Sequence, residues 1–119
     1  MSNNRLVRDY LAVATPGQLD LDAIRSFLAD DVQIEDPLMS ISGADGFIEA
    51  LRSTGTESGG GMRSTVQDVV GDGDVVAARV LFEMGPMTVQ FSQWFWITDG
   101  KIARVQVIYD PRAFLERAG

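Results

Sequence analysis

Phe27-Leu28-Ala29-Asp30-Asp31-Val32-Gln33-Ile34-Glu35-Asp36-Pro37 packs three changes of pattern into one short stretch. Phe27 and Leu28 end an apolar stripe that runs back through Ile24 and Leu21, as one face of a helix does. Asp30-Asp31 reads as a tight acidic turn, and Val32 to Asp36 as a short strand whose end Pro37 restricts. The strand delivers one carboxylate, Asp36, flanked by apolar residues. A carboxylate so placed can act as a general base if a cavity lies beside it.

On the N-terminal side, Leu6, Tyr10, Val13 and Ala14 recur at spacings of three and four, which predicts a helix over about 3–15, ended by Thr15-Pro16-Gly17. Asp20 or Asp22 can cap the second helix. On the C-terminal side, Ser40 to Gly43 reads as a loop and Ala44 to Ser53 as a third helix with Phe47, Ile48 and Leu51 inward. Gly55 to Gly61, rich in Gly, Ser and Thr, reads as a connector, or as a rim over a pocket. From Met62 the period changes to two, with strands expected at about 62–70, 74–84, 87–98 and 101–109. Gly71-Asp72-Gly73-Asp74, Gly85-Pro86 and Thr98-Asp99-Gly100-Lys101 supply hairpin turns. A short helical turn is expected at 112–117. The order predicts one α+β domain over 1–119, with three N-terminal helices packed on one face of a curved, mostly antiparallel sheet.

Composition narrows the chemistry. The chain has 119 residues, of which 45% are hydrophobic, and carries a net charge of −7, which argues against a nucleic-acid partner. It contains neither cysteine nor histidine, so disulfides, thiolate chemistry and the commonest metal ligands are excluded, and no metal or cofactor is expected. Proton transfer must fall to Asp, Glu, Tyr, Lys or water. No apolar run approaches membrane-spanning length, and Met1-Ser2-Asn3-Asn4-Arg5 leads straight into a helical pattern, so a cytoplasmic protein is expected.

Strand parity assigns faces. Val76, Ala78, Val80, Phe82 and Met84 alternate with Val75, Ala77, Arg79, Leu81 and Glu83, and the first, wholly apolar set should face the helices. Phe91, Gln93, Phe95 and Ile97 share one face of the next strand, which leaves Gln93 as a lone polar group among apolar neighbours. Trp94 and Trp96 then lie on the outer face, an indole patch that predicts a homodimer through the sheet unless Arg and Gln stems cover it.

Leu28-Ala29-Asp30-Asp31 followed by Glu35-Asp36-Pro37, Gly43 before the third helix, and Asp99-Gly100-Lys101-Ile102 before the last strand resemble the nuclear transport factor 2-like (SnoaL-like) superfamily, and within it bacterial ketosteroid isomerase. The resemblance covers almost the whole chain. It implies a cone-like α+β roll (cystatin-like, with a mixed sheet) and cofactor-independent isomerisation of a hydrophobic carbonyl compound, ketosteroid- or polyketide-like. Asp36 matches the family's base, and Tyr10 falls where the family places its oxyanion-hole tyrosine. The second oxyanion donor, a protonated aspartate in the isomerase, is here Gln93, a neutral and weaker donor. The pocket walls would be Phe27, Phe47, Leu51, Val80, Phe82, Phe91, Phe95, Val105 and Tyr109. The family's epoxide hydrolases need an acid two residues beyond an arginine, and Arg79 is followed there by Leu81. A non-catalytic binding or interaction domain of the same fold is the alternative.

Overall fold

The computed structural model describes residues 2–15, 18–58 and 62–112, with the backbone alone at 54–58 and 62. The first half of the chain holds α1 (Asn3–Val13), α2 (Leu21–Phe27), β1 (Leu28–Glu35), β2 (Ser40–Ser42) and α3 (Ala44–Ser58). The second half is a meander of β3 (Met62–Asp72), β4 (Val75–Met84), β5 (Met87–Thr98) and β6 (Lys101–Ile108). All six strands join one sheet in the order β2-β1-β6-β5-β4-β3. Every neighbouring pair is antiparallel except β1 and β6, which run parallel.

Local chemistry sets the helix starts. The Ser2 hydroxyl accepts from the Arg5 N–H at 3.2 Å, and the Asp20 carboxylate accepts from the Ala23 N–H at 3.1 Å, so Asp20 and not Asp22 is the cap. Both helices lay an apolar stripe on the sheet: Val7, Tyr10 and Leu11 from α1 and Ile24 from α2 meet Val76, Ala78, Val80, Phe95, Ile97, Ile102 and Val105. The alternation expected along β4 holds, with Val76, Ala78 and Val80 all buried. Each such side chain withdrawn from water contributes roughly 1.5–3 kcal/mol, less for alanine.

Three expectations need correction. Asp30-Asp31 is not a turn: both residues lie within β1, and the β1–β6 register shifts between Leu28 and Gln33. A bulge of that kind sends two consecutive side chains outward, so an acidic pair fits inside a strand. Arg25 then draws the Asp30 carboxylate back, at 2.7 Å, and holds it below its usual pKa. Ser40 to Ser42 is not a loop but β2, paired with β1 through Ile34 and Ile41. The third helix does not stop near Ser53 but runs to Ser58, because one internal glycine costs a helix only about 1 kcal/mol. Gly59 to Gly61 lie outside the described residues, as does most of the expected turn at 112–117.

One glycine is fixed by space. A Cβ on Gly71 would lie 2.6 Å from the Val75 carbonyl oxygen and 2.7 Å from the Val76 Cα, both backbone atoms that cannot swing aside. Gly71→Ala is therefore expected to destabilise the chain by about 1–3 kcal/mol. Gly46→Ala, inside α3 with its nearest contact at 3.6 Å, should instead stabilise by about 0.5–1 kcal/mol. Urea denaturation of both variants checks the pair, and equal effects would refute the steric account.

Candidate functional site

Where α1 and α3 cross the sheet, packing leaves a cavity of about 130 Å³ lined by Tyr10, Leu11, Ala14, Leu19, Phe47, Leu51, Ser64, Val66, Val80, Phe82 and Gln93. Parity explains the sheet side of this wall. Ser64 lies opposite Phe82 and Val66 opposite Val80 on β3–β4, while Gln93 lies opposite Ala78 and Val107 on β5, so all project to the helix side.

Three of the wall residues carry polar groups: Tyr10, Ser64 and Gln93. Their side chains make no hydrogen bond, and no buried side-chain polar atom among the described residues is sealed off without a partner. The three groups therefore open onto the cavity with their hydrogen-bonding capacity unspent. The Tyr10 ring is held edge-on by Phe27 (centroids 6.1 Å apart) and Phe95 (5.8 Å), which leaves it little freedom.

Burial pushes the Tyr10 phenol well above its ordinary pKa, because the phenolate has no compensating partner. Tyr10 is thus a neutral donor at physiological pH. Its folded-state value exceeds its unfolded one, so its contribution to stability is whole below about pH 10 and is lost as pH rises beyond it, by up to about 1.4 kcal/mol per pH unit. Chemical denaturation between pH 9 and 11 should show this decline, and Tyr10→Phe should flatten it. An unchanged slope in that variant would refute it.

Asp36 sits elsewhere. It closes the β1–β2 hairpin: its N–H donates to the Met39 carbonyl at 2.9 Å, and its Oδ1 accepts from the Leu38 N–H at 2.7 Å and the Met39 N–H at 2.9 Å. This is the local side-chain turn for which aspartate is suited. The carboxylate's Oδ2 accepts no hydrogen bond. Asp36 lines a shallow surface depression of about 180 Å³ with Glu35, Pro37 and Gln106 to Ile108. It is not on the wall of the Tyr10–Gln93 cavity. An aromatic row links the two places. Phe82, on the cavity wall, meets Phe91 at 4.3 Å, and Phe91 stacks on Tyr109 at 4.4 Å. Burial, and then the negative charge of Asp36, raise the pKa of the Tyr109 phenol.

Of the expected site residues, the structure gathers Tyr10, Gln93, Phe47, Leu51, Val80 and Phe82 around one cavity. Phe95 and Val105 are instead sealed in the core, at 0% and 3% exposure. Phe27 supports Tyr10 from behind, and Phe91 and Tyr109 form the row toward Asp36. Sharing a face with the cavity was not enough, because Phe95 and Val105 are taken up in the buried cluster that also holds Val7, Ile24 and Ile102. Leu11, Ala14, Leu19, Ser64 and Val66 were not anticipated. Ser64 was legible in principle, since it has the parity of Phe82's partner. Among the described residues no three Asp, Glu, His or Cys side chains converge to hold a metal, and no helix is long and apolar enough to cross a membrane.

The outer sheet face carries Val70 at 62%, Trp94 at 39% and Ile108 at 48% exposure. Trp96 is covered: the Arg104 guanidinium lies 4.5 Å over its ring and also reaches Glu35 at 3.3 Å. The Arg stem that sequence parity offered as an alternative to exposure therefore covers one indole and not the other.

The profile of the SnoaL-like domain matches residues 7–105. No curated protein sequence matches the chain at a significant level. In three dimensions the chain is similar to an NTF2-like protein of unknown function from Cytophaga hutchinsonii, with TM-score 0.81 and 16% identity over 97% of this chain and 96% of that one. It is also similar to TerC, crystallised with polyporic acid, with TM-score 0.76 and 26% identity over 97% of each chain. A candidate ketosteroid isomerase from Kribbella flavida matches with TM-score 0.77 and 21% identity over 90% of this chain and 76% of that one. The helices-then-meander order, the parallel β1–β6 pair and the profile that runs from α1 into β6 agree, and the chain belongs to the SnoaL-like family of NTF2-like α+β cones.

Proposed function

We propose that the chain is a cofactor-independent isomerase or related proton-transfer enzyme acting on an apolar carbonyl compound. The observation that carries this reading is the pair of unpartnered groups, Tyr10 hydroxyl and Gln93 amide, facing one apolar cavity. A ketone oxygen placed there would accept from both, and the same two donors would strengthen as the oxygen gains charge in an enolate. Asp36, through its free Oδ2, is the candidate base for the carbon-bound proton, with the substrate lying along the Phe82–Phe91–Tyr109 row. A cavity of about 150 Å³ holds a benzene-sized ring. The cavity here, at about 130 Å³, suits a single ring, and the further rings of a steroid would have to extend along the row.

A second reading, binding without chemistry, is favoured by one observation: Asp36 is absent from the cavity wall and has one oxygen committed to its own turn. Deuterium exchange next to the carbonyl of cyclohex-2-en-1-one and of a 5-ene-3-ketosteroid, followed by NMR, separates the readings. Catalysed exchange supports the enzyme. Binding with no exchange leaves the binder, and neither binding nor exchange overturns both.

The outer face is proposed as the seat of a second copy. Val70, Trp94 and Ile108 form its apolar part, and the Arg79–Asp68 and Arg104–Glu35 pairs rim it with both signs of charge, which suits a self-complementary contact. Sedimentation at tens of micromolar should give a dimer that Trp94→Glu dissociates, and a monomeric wild type would refute it.

A further inference from the structure

Strand register measures the ground between the cavity and Asp36. Gln93 on β5 pairs with Val107 on β6. On the far side of β6 runs β1, with Ile34 opposite Val105 and Glu35 opposite Gln106. The next step of that register sets Asp36 beside Val107, and the two line one depression. Ile34 and Val105 both point into the core, so parity gives Asp36 and Val107 the helix side as well. Gln93, Val107 and Asp36 thus form a row across adjacent strands, its ends about 10 Å apart, or two strand spacings of about 4.8 Å. Val107 stands in the middle of that row, a branched apolar side chain half-buried against the core.

A ligand longer than one ring has two ways out of the cavity. On the β3 side it passes Val66, which is 37% exposed, and β3 is the last strand of the sheet. On the β6 side it crosses Val107 and meets Phe91 and Tyr109, stacked on each other at 4.4 Å. A second ring laid there withdraws apolar surface from water on both partners, which the β3 route does not offer it.

We propose that Val107 is a specificity-determining residue, the sill over which a ligand longer than one ring extends from Tyr10 and Gln93 toward Asp36. Its bulk sets how well the second ring is accepted. The inference rests on the proposed oxygen-binding role of the cavity and adds to it the direction in which a longer ligand lies and the side chain that limits its size. Val107 meets only the apolar body of the ligand, so its substitution changes size preference and not the hold on the oxygen.

The test titrates two neutral probes into the full chain, cyclohex-2-en-1-one and a fused two-ring octalone, and follows amide chemical shifts. Both should shift the Gln93 amide, and only the octalone should also shift those of Asp36 and Met39. Val107→Phe should lower the ratio of octalone to cyclohexenone affinity about tenfold, and Val107→Ala should raise it several-fold, with cyclohexenone affinity unchanged in both. A mere loss of stability would weaken both probes together and could not raise the ratio, so Val107→Ala keeps the test valid if the phenylalanine disturbs the sheet. A ratio indifferent to both variants, or octalone shifts at Val66 and Leu19 in place of Asp36, would overturn the role of Val107 and leave the carbonyl-binding reading intact. Binding of neither probe would overturn both.

Discussion

Phe95→Ala should cost about 3–5 kcal/mol of folding stability, the range for deleting a fully buried aromatic ring. Phe95 is 0% exposed and sits in mid-sheet, opposite Val76 on β4 and Val105 on β6. These neighbours are themselves buried, so little can collapse into the space the ring leaves. The loss is large against the ~5–15 kcal/mol that holds a typical domain together. It should also reach the site, because Phe95 is one of the two rings that fix Tyr10. Urea denaturation measures the first effect and probe affinity the second. A loss below about 1 kcal/mol would mean that the sheet centre is far more plastic than its packing indicates.

Asp36→Asn should lower catalysed carbon–hydrogen exchange by about 10²–10⁴, the usual contribution of a general base. Two roles meet in this residue, and the choice of variant separates them. Asn keeps an oxygen that can accept from the Leu38 and Met39 N–H groups, so the hairpin turn survives while the base is lost. Asp36→Ala removes both, and should add a stability cost of about 1–3 kcal/mol for the two unmet N–H groups, less where water reaches them. If Asn exchanges as fast as wild type while Ala is merely less stable, Asp36 is a turn former and the chain's chemistry lies elsewhere.

The fold was legible where one physical rule decided. Period-two alternation placed β3 to β6 and the faces of β4 to β6, and Asp99-Gly100, both at positive φ, marked the last hairpin. It was illegible where two rules competed. Asp30-Asp31 carries the composition of a turn, yet a bulge and Arg25 keep it in a strand. Ser40-Ile41-Ser42 is too short to show a period, and only its pairing with β1 makes it a strand. The candidate site divided in the same way. Tyr10 and Gln93 could be brought to one cavity by helix face and strand parity, two local rules. Whether Phe91, Phe95, Tyr109 and Asp36 joined them depended on how α1 and α3 lean across the sheet, which no local pattern encodes.

The parallel seam between β1 and β6 bears on how the chain is made. Leu28 pairs with Ile102, so β1 must wait for a strand that follows it by 74 residues along the chain. The β3–β5 meander can zip from its turns as it emerges, but the β1–β2 hairpin has no other neighbour, and an isolated two-stranded hairpin is marginal in water. Such long-range closure slows folding. Until residue 108 leaves the ribosome, the apolar faces of β1 and β5 have no lasting cover, so a nascent or truncated chain of this fold is a natural client for chaperones and a natural target for proteases.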